Sequence, residues 1–592
     1  MSLGAKSVWV VALSACLVLA SGPALAWQPA AAGYQETARG TKGMIAAVEP
    51  FAAEAGLEIF RQGGNAVDAA VAVAFALAVT HPLAGNLGGG GFMLIHLADG
   101  TDVFVDFRET APGAATADMY LGPDGKLAVG ASTRGWRSSG VPGSVAGLAL
   151  ALEKYGTLPL ETVMAPAIRL ARKGFPVSTR LAEQLRQHGP RLGRNLESRR
   201  IFLRDGKFFE PGDKLVQKDL ARTLQRIARK GAGEFYSGAL AADFVRESAF
   251  GAGLFTREDM SGYRAVIRQP LRGSFRGHTI VTAPPPSSGG VALLETLNML
   301  EVLLGAKDAP GEAATLHLLT EALRRAFADR ARHLADADFA EVPVAGLVSK
   351  DYAAACAATI SREKASPSAS LETPDPRRFG GSPASVRREG DNTTHISVMD
   401  AAGNAVALTT TLNDSFGNGI TVPGLGFLLN NEMDDFTTQP GAPNELFQLV
   451  QSDANQIEPG KRPVSSMTPT LILRDGQPVL ALGSPGGGRI ISAVTQVVLN
   501  RLQFGDDLAL AIARPRIHHQ WLPDALYVEE DGFTSAQLDA LRARGHTVLS
   551  ITELVSSRPA TVGRVTAVER NPQTGELYGV ADARDGSVAR GY

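Results

Sequence analysis

The stretch Asn392-Thr393-Thr394-His395-Ile396-Ser397-Val398-Met399 marks the place where the character of this chain changes. Before it, residues 361–391 read SREKASPSASLETPDPRRFGGSPASVRREGD, which is rich in Pro, Ser, Gly and Arg and poor in apolar residues. Such a segment cannot bury enough surface to offset its ordering entropy, so we expect an exposed, flexible tail or a loop joining two domains. After it, apolar Ile396 and Val398 alternate with polar neighbours, which is typical of a β-strand.

Strand signals continue on the C-terminal side of this junction. A turn-forming run over residues 400–404 separates the first strand from a second over 405–412, and the two are predicted to pair as a hairpin. A further strand pair is predicted over 469–473 and 478–482. Elsewhere the apolar periodicity predicts helices over 50–79, interrupted at Gly63-Gly64 and capped again at Asn65, over 144–250 and over 291–335, with strands over 92–95 and 103–107.

Composition places the chain among globular proteins. It has 592 residues, 44% of them hydrophobic, and 58 Lys+Arg against 60 Asp+Glu for a net charge of −2. This balance, with no block of basic residues, argues against nucleic acid as a partner. Length alone allows about four domains.

The N-terminus reads as a targeting segment. Lys6 precedes an apolar run over 8–20, and Ala24-Leu25-Ala26 is a small-x-small cleavage site, so we expect residues 1–26 to be a signal peptide and the protein to be periplasmic or secreted. Leu13-Ser14-Ala15-Cys16 resembles a bacterial lipoprotein box, but the apolar run after Cys16 disfavours that alternative. A third alternative is that the segment stays uncleaved as a membrane anchor. The best later candidate for a membrane span has eleven apolar residues, against about 18 needed.

Several familiar catalytic patterns are absent from the sequence. There is no Gly-x-Ser-x-Gly and no His-Glu-x-x-His, and the ten His do not cluster at metal-ligand spacing, so neither metal nor cofactor is expected. His518-His519 is interpreted as a structural polar pair. The glycine run at 88–91 lacks the Gly-Lys-Ser/Thr of a phosphate loop and is interpreted as a close-packed turn. Of the two Cys, cleavage after Ala26 leaves only Cys356, so no internal disulfide is expected.

Thr393 is the candidate for chemistry. If the chain were cut between Asn392 and Thr393, the threonine would carry a hydroxyl nucleophile and a free α-amine in one residue. The amine, with an ordinary pKa of about 7.7–8.0, can act as a base near neutral pH. A threonine paired with its N-terminal amine is a known activated nucleophile. A strand start would hold that hydroxyl on a rigid element.

The motif Thr393-Thr394-His395-x-Ser397-Val398-x-Asp400 resembles the start of the small subunit of γ-glutamyltransferases, N-terminal-nucleophile (Ntn) hydrolases that cut themselves to expose that threonine. Further matching motifs follow in family order at residues 85–93, 106–109, 284–290, 411–413, 429–436, 461–467, 483–487 and 514–521. The resemblance covers about residues 43 to 592. It implies an α+β fold, an αββα four-layer sandwich built from two subunits of one precursor, with 27–392 as the large subunit and 393–592 as the small subunit.

The resemblance also implies roles for individual residues. Thr393 would be the nucleophile of self-cleavage and of turnover, and Thr411 would orient it by a hydrogen bond. Gly486 and Gly487 would present backbone N–H groups to the developing oxyanion, each such donor being worth about 2.7–4 kcal/mol in kcat. The α-carboxylate of the glutamyl group would meet three donors: Arg108, Ser465 and Ser466. Its α-ammonium would meet three acceptors: Asn413, Glu432 and Asp435.

The expected reaction is hydrolysis of glutathione and other γ-glutamyl compounds, with transfer to amino acids or peptides. One alternative is a cephalosporin (glutaryl) acylase of the same family, which would not need the groups that hold an α-amino acid. Another is an exported binding protein that has lost catalysis. One region departs from the common bacterial pattern: in the lid-like loop over 440–447, Phe447 stands where many relatives have Tyr, which leaves acceptor choice open.

Overall fold

The computed structural model describes residues 35–380, 393–439, 443–449, 453–555 and 560–592. The strands are β1 (Thr37–Gly40), β2 (Gly43–Ala47), β3 (Gly90–His96), β4 (Asp102–Asp106), β5 (Phe175–Pro176), β6 (Lys214–Leu215), β7 (Val266–Arg268), β8 (Leu271–Phe275), β9 (His278–Thr282), β10 (Thr393–Asp400), β11 (Ala405–Thr411), β12 (Thr470–Arg474), β13 (Gln477–Gly483), β14 (Ile517–His518), β15 (Leu526–Val528), β16 (Val548–Ser550), β17 (Thr566–Arg570), β18 (Leu577–Ala581) and β19 (Val588–Gly591).

The helices lie mostly in the first half of the chain and again after β13. They are α1 (Pro50–Arg61), α2 (Ala66–Thr80), α3 (Ser144–Tyr155), α4 (Leu160–Lys173), α5 (Thr179–Gln187), α6 (Gly189–Leu192), α7 (Leu196–Phe202), α8 (Lys218–Lys230), α9 (Gly233–Tyr236), α10 (Ala239–Phe250), α11 (Arg257–Gly262), α12 (Gly289–Leu303), α13 (Ala313–His333), α14 (Val344–Leu347), α15 (Lys350–Ala357), α16 (Arg489–Leu502), α17 (Leu508–Ala513) and α18 (Ser535–Ala543). In this described part of the chain, no helix has the length and apolarity to cross a membrane.

Two seven-stranded antiparallel sheets form the centre of the molecule. The first has the order β19-β2-β10-β11-β3-β4-β7 and the second β1-β18-β17-β13-β12-β9-β8. Both sheets interleave strands from before and after the 392/393 junction. The chain therefore forms one structural unit, not the four domains that length alone allowed.

Alternating side chains of the first sheet enter two different cores. Ile396 and Leu408 point to one face, where they pack with α1, α2, α3 and α4. Phe92 and Leu94 point to the other face, against the second sheet, whose core also takes in α12, α13 and α16. The order of layers is helix, sheet, sheet, helix, as expected for an αββα sandwich, and period-two alternation explains why one strand serves both cores.

The N-terminal helices follow their sequence signals. Glu49 caps α1, and Asn65 caps α2 with a full capping box that includes Asp68. Gly63, with φ of 89°, lies between them. The predicted hairpin is confirmed as β10 and β11, and the second predicted pair as β12 and β13, with positive φ at Asp475 and Gly476 in its turn.

The segment before the junction differs in part from its prediction. Residues 361–380 are largely exposed, but they are anchored along α13 and not free. Ser368 Oγ accepts from the Arg324 guanidinium at 2.5 Å, and Thr373 Oγ1 donates to Asp329 at 2.6 Å. Polar anchoring of this kind has no apolar signature, which is why composition alone indicated flexibility. Residues 381–391, like the predicted signal peptide at 1–26, lie outside the described residues.

Candidate active site

Thr393 begins β10 and is directly opposite Thr411 of β11 in the hairpin register. The side of the sheet that carries them is buried, with Thr393 only 5% exposed. Thr411 Oγ1 accepts a hydrogen bond from the backbone N–H of Asn413 at 2.8 Å, which holds the chain as it leaves β11. The register thus places the expected orienting threonine beside the expected nucleophile. Asn392, the other residue of the expected scissile bond, lies outside the described residues.

A glycine pair lets the neighbouring strands approach this point. Gly90 of β3 is opposite Thr411, and a Cβ on it would lie 2.6 Å from the Glu109 carboxylate and 2.5 Å from the Phe107 carbonyl. A Cβ on Gly91 would lie 2.3 Å from the Thr409 carbonyl. The glycine run is therefore a close-packed turn and strand start, as predicted, and it brings the end of β4 to the end of the hairpin.

Arg108 follows β4 and is almost completely buried. Its Nε donates to the Pro463 carbonyl and its Nη2 to the Val464 carbonyl, both at 3.1 Å. The same guanidinium forms ion pairs with Glu432 and Asp435. The fork is thus held on one side by backbone carbonyls and on the other by the two carboxylates that the resemblance assigned to the substrate ammonium.

The carboxyl groups around Arg108 lie close together and are almost completely buried. Burial raises the pKa of Glu432 to about 8 and that of Glu109 to about 7, while Arg108 acts in the opposite direction on both. Burial also raises the pKa of Asp435 well above its ordinary value. Three acidic groups share one guanidinium, and burial favours their protonated forms, whereas a bound substrate ammonium would favour the charged carboxylates.

Other polar atoms of the cluster have no hydrogen-bond partner within the described part of the protein, although Glu109 Oε2 lies 3.7 Å from Arg108 Nη1. These unpartnered buried atoms are Glu432 Oε2, Asp435 Oδ1, Asn413 Oδ1, Ser466 Oγ and both Glu109 carboxylate oxygens. Buried polar atoms are normally hydrogen-bonded, so a group of orphans in one place indicates a ligand site. Ser465 differs, because its Oγ accepts from the Met467 N–H at 3.3 Å and its carbonyl accepts from Ser288.

Gly486 and Gly487 lie between the end of β13 and the start of α16. Their φ angles of 138° and 57° are in the left-handed region that glycine adopts without a Cβ penalty. The carbonyls of Gly486 and Gly487 accept from the N–H groups of Arg489 at 3.2 Å and Ile490 at 2.8 Å, so the glycine pair is fixed directly before the N-terminus of α16. Gly483, at the end of β13, packs against the ring of His395, two residues beyond Thr393.

The expected lid is only partly described, over residues 443–449. Phe447 is half-buried, and its carbonyl accepts from Gln520 Nε2 at 3.3 Å. Leu449 lies against Gly488, next to the two candidate oxyanion glycines, since a Cβ there would be 3.8 Å from its methyl carbons.

Two functional candidates escaped sequence reasoning. Glu109 follows Arg108 directly and belongs to the same motif, yet it carried no signal of its own until its burial was known. Asp434 lies between the two carboxylates of the Arg108 cluster but contacts other groups. Its Oδ1 accepts from Ser132 Oγ at 2.5 Å, and residue 132 is far away in sequence.

One group of side chains has ligand-like geometry that sequence spacing did not indicate. His317, Glu321 and His546 lie close enough together for a metal ion. However, His317 Nδ1 and His546 Nε2 share a hydrogen bond of 2.7 Å, and Glu321 is paired with Arg324 and Arg325. The negative charge of Glu321 is therefore already balanced by two guanidinium groups, which would also repel a metal cation. His518 forms hydrogen bonds to Ser492 and Gln520 and is a structural residue, as predicted.

Comparison with known proteins gives a consistent result. A family model described as Gamma-glutamyltranspeptidase matches residues 52–592. Glutathione hydrolase proenzyme of Escherichia coli (strain K12) is 45% identical over 547 residues, which are 92% of this chain and 91% of that protein. Acylase ACY 1 proenzyme of Pseudomonas sp. (strain SE83) is 38% identical over 554 residues, 92% of this chain and 93% of that protein.

Solved structures resemble the chain as well. The crystal structure of a cephalosporin acylase from Bacillus halodurans matches with a TM-score of 0.81 at 27% identity and covers 94% of this chain and 97% of that one. The γ-glutamyltranspeptidase of Helicobacter pylori matches with a TM-score of 0.54 at 42% identity, covering 55% of this chain and 93% of that one. The αββα fold is that of the Ntn hydrolases. Within that class, the chain belongs to the γ-glutamyltranspeptidase family, and it is an enzyme.

Proposed function

We propose that this protein is a self-processing γ-glutamyl hydrolase and transferase that acts on glutathione and related compounds. The observation that carries the proposal is the buried cluster of Arg108, Glu432 and Asp435 at the end of the strands that bear Thr393 and Thr411. A guanidinium fork matches an α-carboxylate, and paired carboxylates match an α-ammonium. Together they would recognise the two charges of a free amino-acid head group, which would replace the ion pairs that Arg108 forms with Glu432 and Asp435.

Processing would start with attack of the Thr393 hydroxyl on the carbonyl carbon of Asn392. The C–N bond breaks, the Thr393 nitrogen takes the proton, and an ester joins the two halves. Water then hydrolyses the ester, which leaves a carboxylate on Asn392 and a free α-amine on Thr393. Thr411, opposite Thr393, would hold the hydroxyl in position during both events.

Turnover would repeat this chemistry on the substrate. The Thr393 amine takes the hydroxyl proton while the oxygen attacks the γ-carbonyl carbon, and Gly486 and Gly487 stabilise the oxyanion. The amine then delivers the proton to the leaving nitrogen, and a γ-glutamyl ester remains on Thr393. Water releases glutamate from this ester, or the amine of an amino acid or peptide takes the glutamyl group.

A glutaryl acylase is the second candidate, because a relative named as an acylase and a structure named as a cephalosporin acylase also match almost the whole chain. A glutaryl group carries a carboxylate but no α-ammonium. With such a substrate, Glu432 and Asp435 would have only Arg108 and no substrate cation to pair with, although burying two acidic groups is costly. This favours the γ-glutamyl substrate.

We also propose export, with residues 1–26 removed as a signal peptide.

Self-cleavage is tested by a denaturing gel with N-terminal sequencing, comparing wild type with Thr393→Ala. The 592-residue precursor has a mass of 62.1 kDa. Removal of the first 26 residues and cleavage between residues 392 and 393 would therefore give fragments of roughly 38 and 21 kDa. The smaller would begin Thr-Thr-His-Ile, and the variant would stay whole. An intact wild-type chain would contradict the proposal.

Substrate class is tested with two matched anilides. We expect release of p-nitroaniline from γ-glutamyl-p-nitroanilide to exceed release from glutaryl-p-nitroanilide by about 100-fold or more, since a site built for a charged group rejects the analogue that lacks it. The reverse preference would identify an acylase. No turnover of either compound by a processed protein would support the binding-protein alternative.

A further inference from the structure

The segment 463–468 carries both serines of the candidate carboxylate site, and two different parts of the chain bind it. Its first two carbonyls accept from Arg108 at 3.1 Å. The next residue, Ser465, is held instead by the loop over residues 284–288, which leads into α12. Arg108 and this loop come from before the 392/393 junction, whereas the segment that they bind comes from after it.

Both backbone polar groups of Ser465 are bound by this loop. Its carbonyl accepts from the Ser288 N–H at 2.6 Å, from Ser288 Oγ at 2.8 Å and from Ser287 Oγ at 3.0 Å. Its N–H donates to the Pro286 carbonyl at 2.9 Å. A buried residue held through both groups in this way cannot turn without leaving polar atoms unpaired, which is costly.

Arg330 of α13 orients the Ser288 hydroxyl. The guanidinium is almost completely buried, and its Nε donates to Ser288 Oγ at 3.0 Å. A guanidinium can only donate, so the Ser288 oxygen is the acceptor of this hydrogen bond. The single hydroxyl proton of Ser288 is then left to donate to the Ser465 carbonyl. Arg330, Ser288 and Ser465 thus form one directed chain of hydrogen bonds that ends on the 463–468 segment.

The start of α12, directly after the loop, packs closely against Ser466. A Cβ on Gly289 would lie 2.8 Å from the Ser466 carbonyl and 2.2 Å from Thr468 Oγ1. Thr468 Oγ1 donates to the same carbonyl at 2.7 Å, so the main chain of Ser466 is fixed as well. The Ser466 hydroxyl, by contrast, is buried and has no hydrogen-bond partner in the described part of the chain. A fixed backbone that presents such a hydroxyl is suited to bind a ligand oxygen.

We propose that Ser288, oriented by Arg330, is a positioning residue that fixes the 463–468 segment so that the Ser466 hydroxyl and Arg108 act on the same substrate carboxylate. The inference rests on the proposed function, since it concerns how that carboxylate is bound. Ser288 itself would not touch the substrate, because its hydroxyl and its N–H both donate to Ser465. Its effect would therefore be seen in the binding of donors that carry an α-carboxylate and not in the chemistry at Thr393.

The first test measures the positioning without any substrate, by hydrogen–deuterium exchange and mass spectrometry of the purified protein. Ser288→Ala removes the hydroxyl and keeps the backbone, and we expect the amides of residues 464–468 to exchange at least about threefold faster than in wild type. Ser198→Ala is the matched control, because the buried Ser198 Oγ also joins two distant segments: it donates to the Gly419 carbonyl at 2.7 Å and accepts from the Thr421 N–H at 2.9 Å. Equal exchange of residues 464–468 in all three proteins would overturn the proposal.

The second test compares two donors that differ in one group: γ-glutamyl-p-nitroanilide and its analogue in which the α-carboxylate is a carboxamide. For Ser288→Ala we expect the KM of the carboxylate donor to rise about three- to tenfold while kcat stays within about twofold, because only binding is affected. The KM of the carboxamide donor should stay within about twofold of wild type. Ser198→Ala should leave both KM values unchanged. An equal loss of kcat on both donors, or an unchanged KM for the carboxylate donor, would overturn the proposal.

A second variant keeps the proposal testable if Ser288→Ala does not fold or process. Arg330→Lys keeps a positive charge but loses the planar group whose Nε–H meets Ser288 Oγ, so we expect the KM of the carboxylate donor alone to rise about two- to fivefold. An unchanged KM in Arg330→Lys would count against the chain of hydrogen bonds. A wild-type protein that turns over neither donor would contradict the proposed function instead, and hydrogen exchange would then decide the positioning by itself.

Discussion

At the scale of single residues, Arg108 is the proposed partner of the substrate α-carboxylate and lies at the centre of the buried cluster with Glu432 and Asp435. Arg108→Lys keeps the positive charge but loses the planar fork that meets Glu432, Asp435 and the Pro463 carbonyl together. We expect kcat/KM for γ-glutamyl-p-nitroanilide to fall by about 10- to 100-fold, mainly through KM, as expected for the loss of one charged hydrogen-bonding contact worth roughly 1.5–3 kcal/mol. Steady-state kinetics measure it, and thermal unfolding checks the fold. A variant with unchanged KM would remove Arg108 from the substrate site.

The same cluster predicts a pH dependence. Burial raises the pKa of Glu432 to about 8, so this carboxyl is largely protonated below that pH and becomes a full acceptor for an ammonium above it. We therefore expect the KM for a γ-glutamyl donor to fall as pH rises from about 6 to 8.5. Glu432→Gln has no proton to lose at this position, so its KM should change less over the same range. Parallel KM profiles for wild type and Glu432→Gln would contradict this assignment.

At the scale of elements, the contact of β13 with β10 connects the candidate oxyanion glycines to the candidate nucleophile. A Cβ on Gly483 would lie 2.3 Å from His395, whose ring is already held by Thr409 at 2.8 Å and Ser397 at 3.1 Å. Gly483→Ala must therefore displace β10, and we expect slower self-cleavage together with a loss of about 1–3 kcal/mol of stability. Densitometry of precursor against time and chemical denaturation measure the two effects. Gly262→Ala is the control, because a Cβ there meets nothing within 4 Å.

Sequence periodicity predicted individual elements well where the signal was local. Asn65 caps α2 because a short polar side chain directly precedes an apolar run, and the β10–β11 hairpin follows from alternation around one turn. Contacts between distant segments were not accessible in this way. Ser132 meets Asp434 and His317 meets His546 only because the fold brings together residues more than 200 positions apart. Thr393 was singled out from its place at the junction of tail and strand, and the other candidate residues came from the family resemblance. Their burial, pairing and unpartnered atoms are known only from the structure.

At the scale of the whole molecule, the two expected subunits share both sheets. In the first sheet, β10 pairs with β2 and β11 pairs with β3, each pair joining a strand from before the junction to one from after it. In the second sheet, β12 pairs with β9 and β18 with β1. Cleavage at 392/393 cuts the connection between the halves without removing any of these ladders, so separation would require both sheets and both cores to open.

We therefore expect the processed protein to behave as one folded body. The two fragments should elute together in size-exclusion chromatography at the volume of the uncleaved Thr393→Ala precursor, and each protein should unfold in a single calorimetric transition. Unfolding of the processed form releases two separate chains, whereas the precursor unfolds as one chain. The Tm of the processed form should therefore fall on dilution, while the Tm of the precursor stays constant. Separate elution of the fragments without denaturant, or two transitions in the processed protein alone, would show that each subunit is a folding unit of its own and that the shared sheets contribute little to the association.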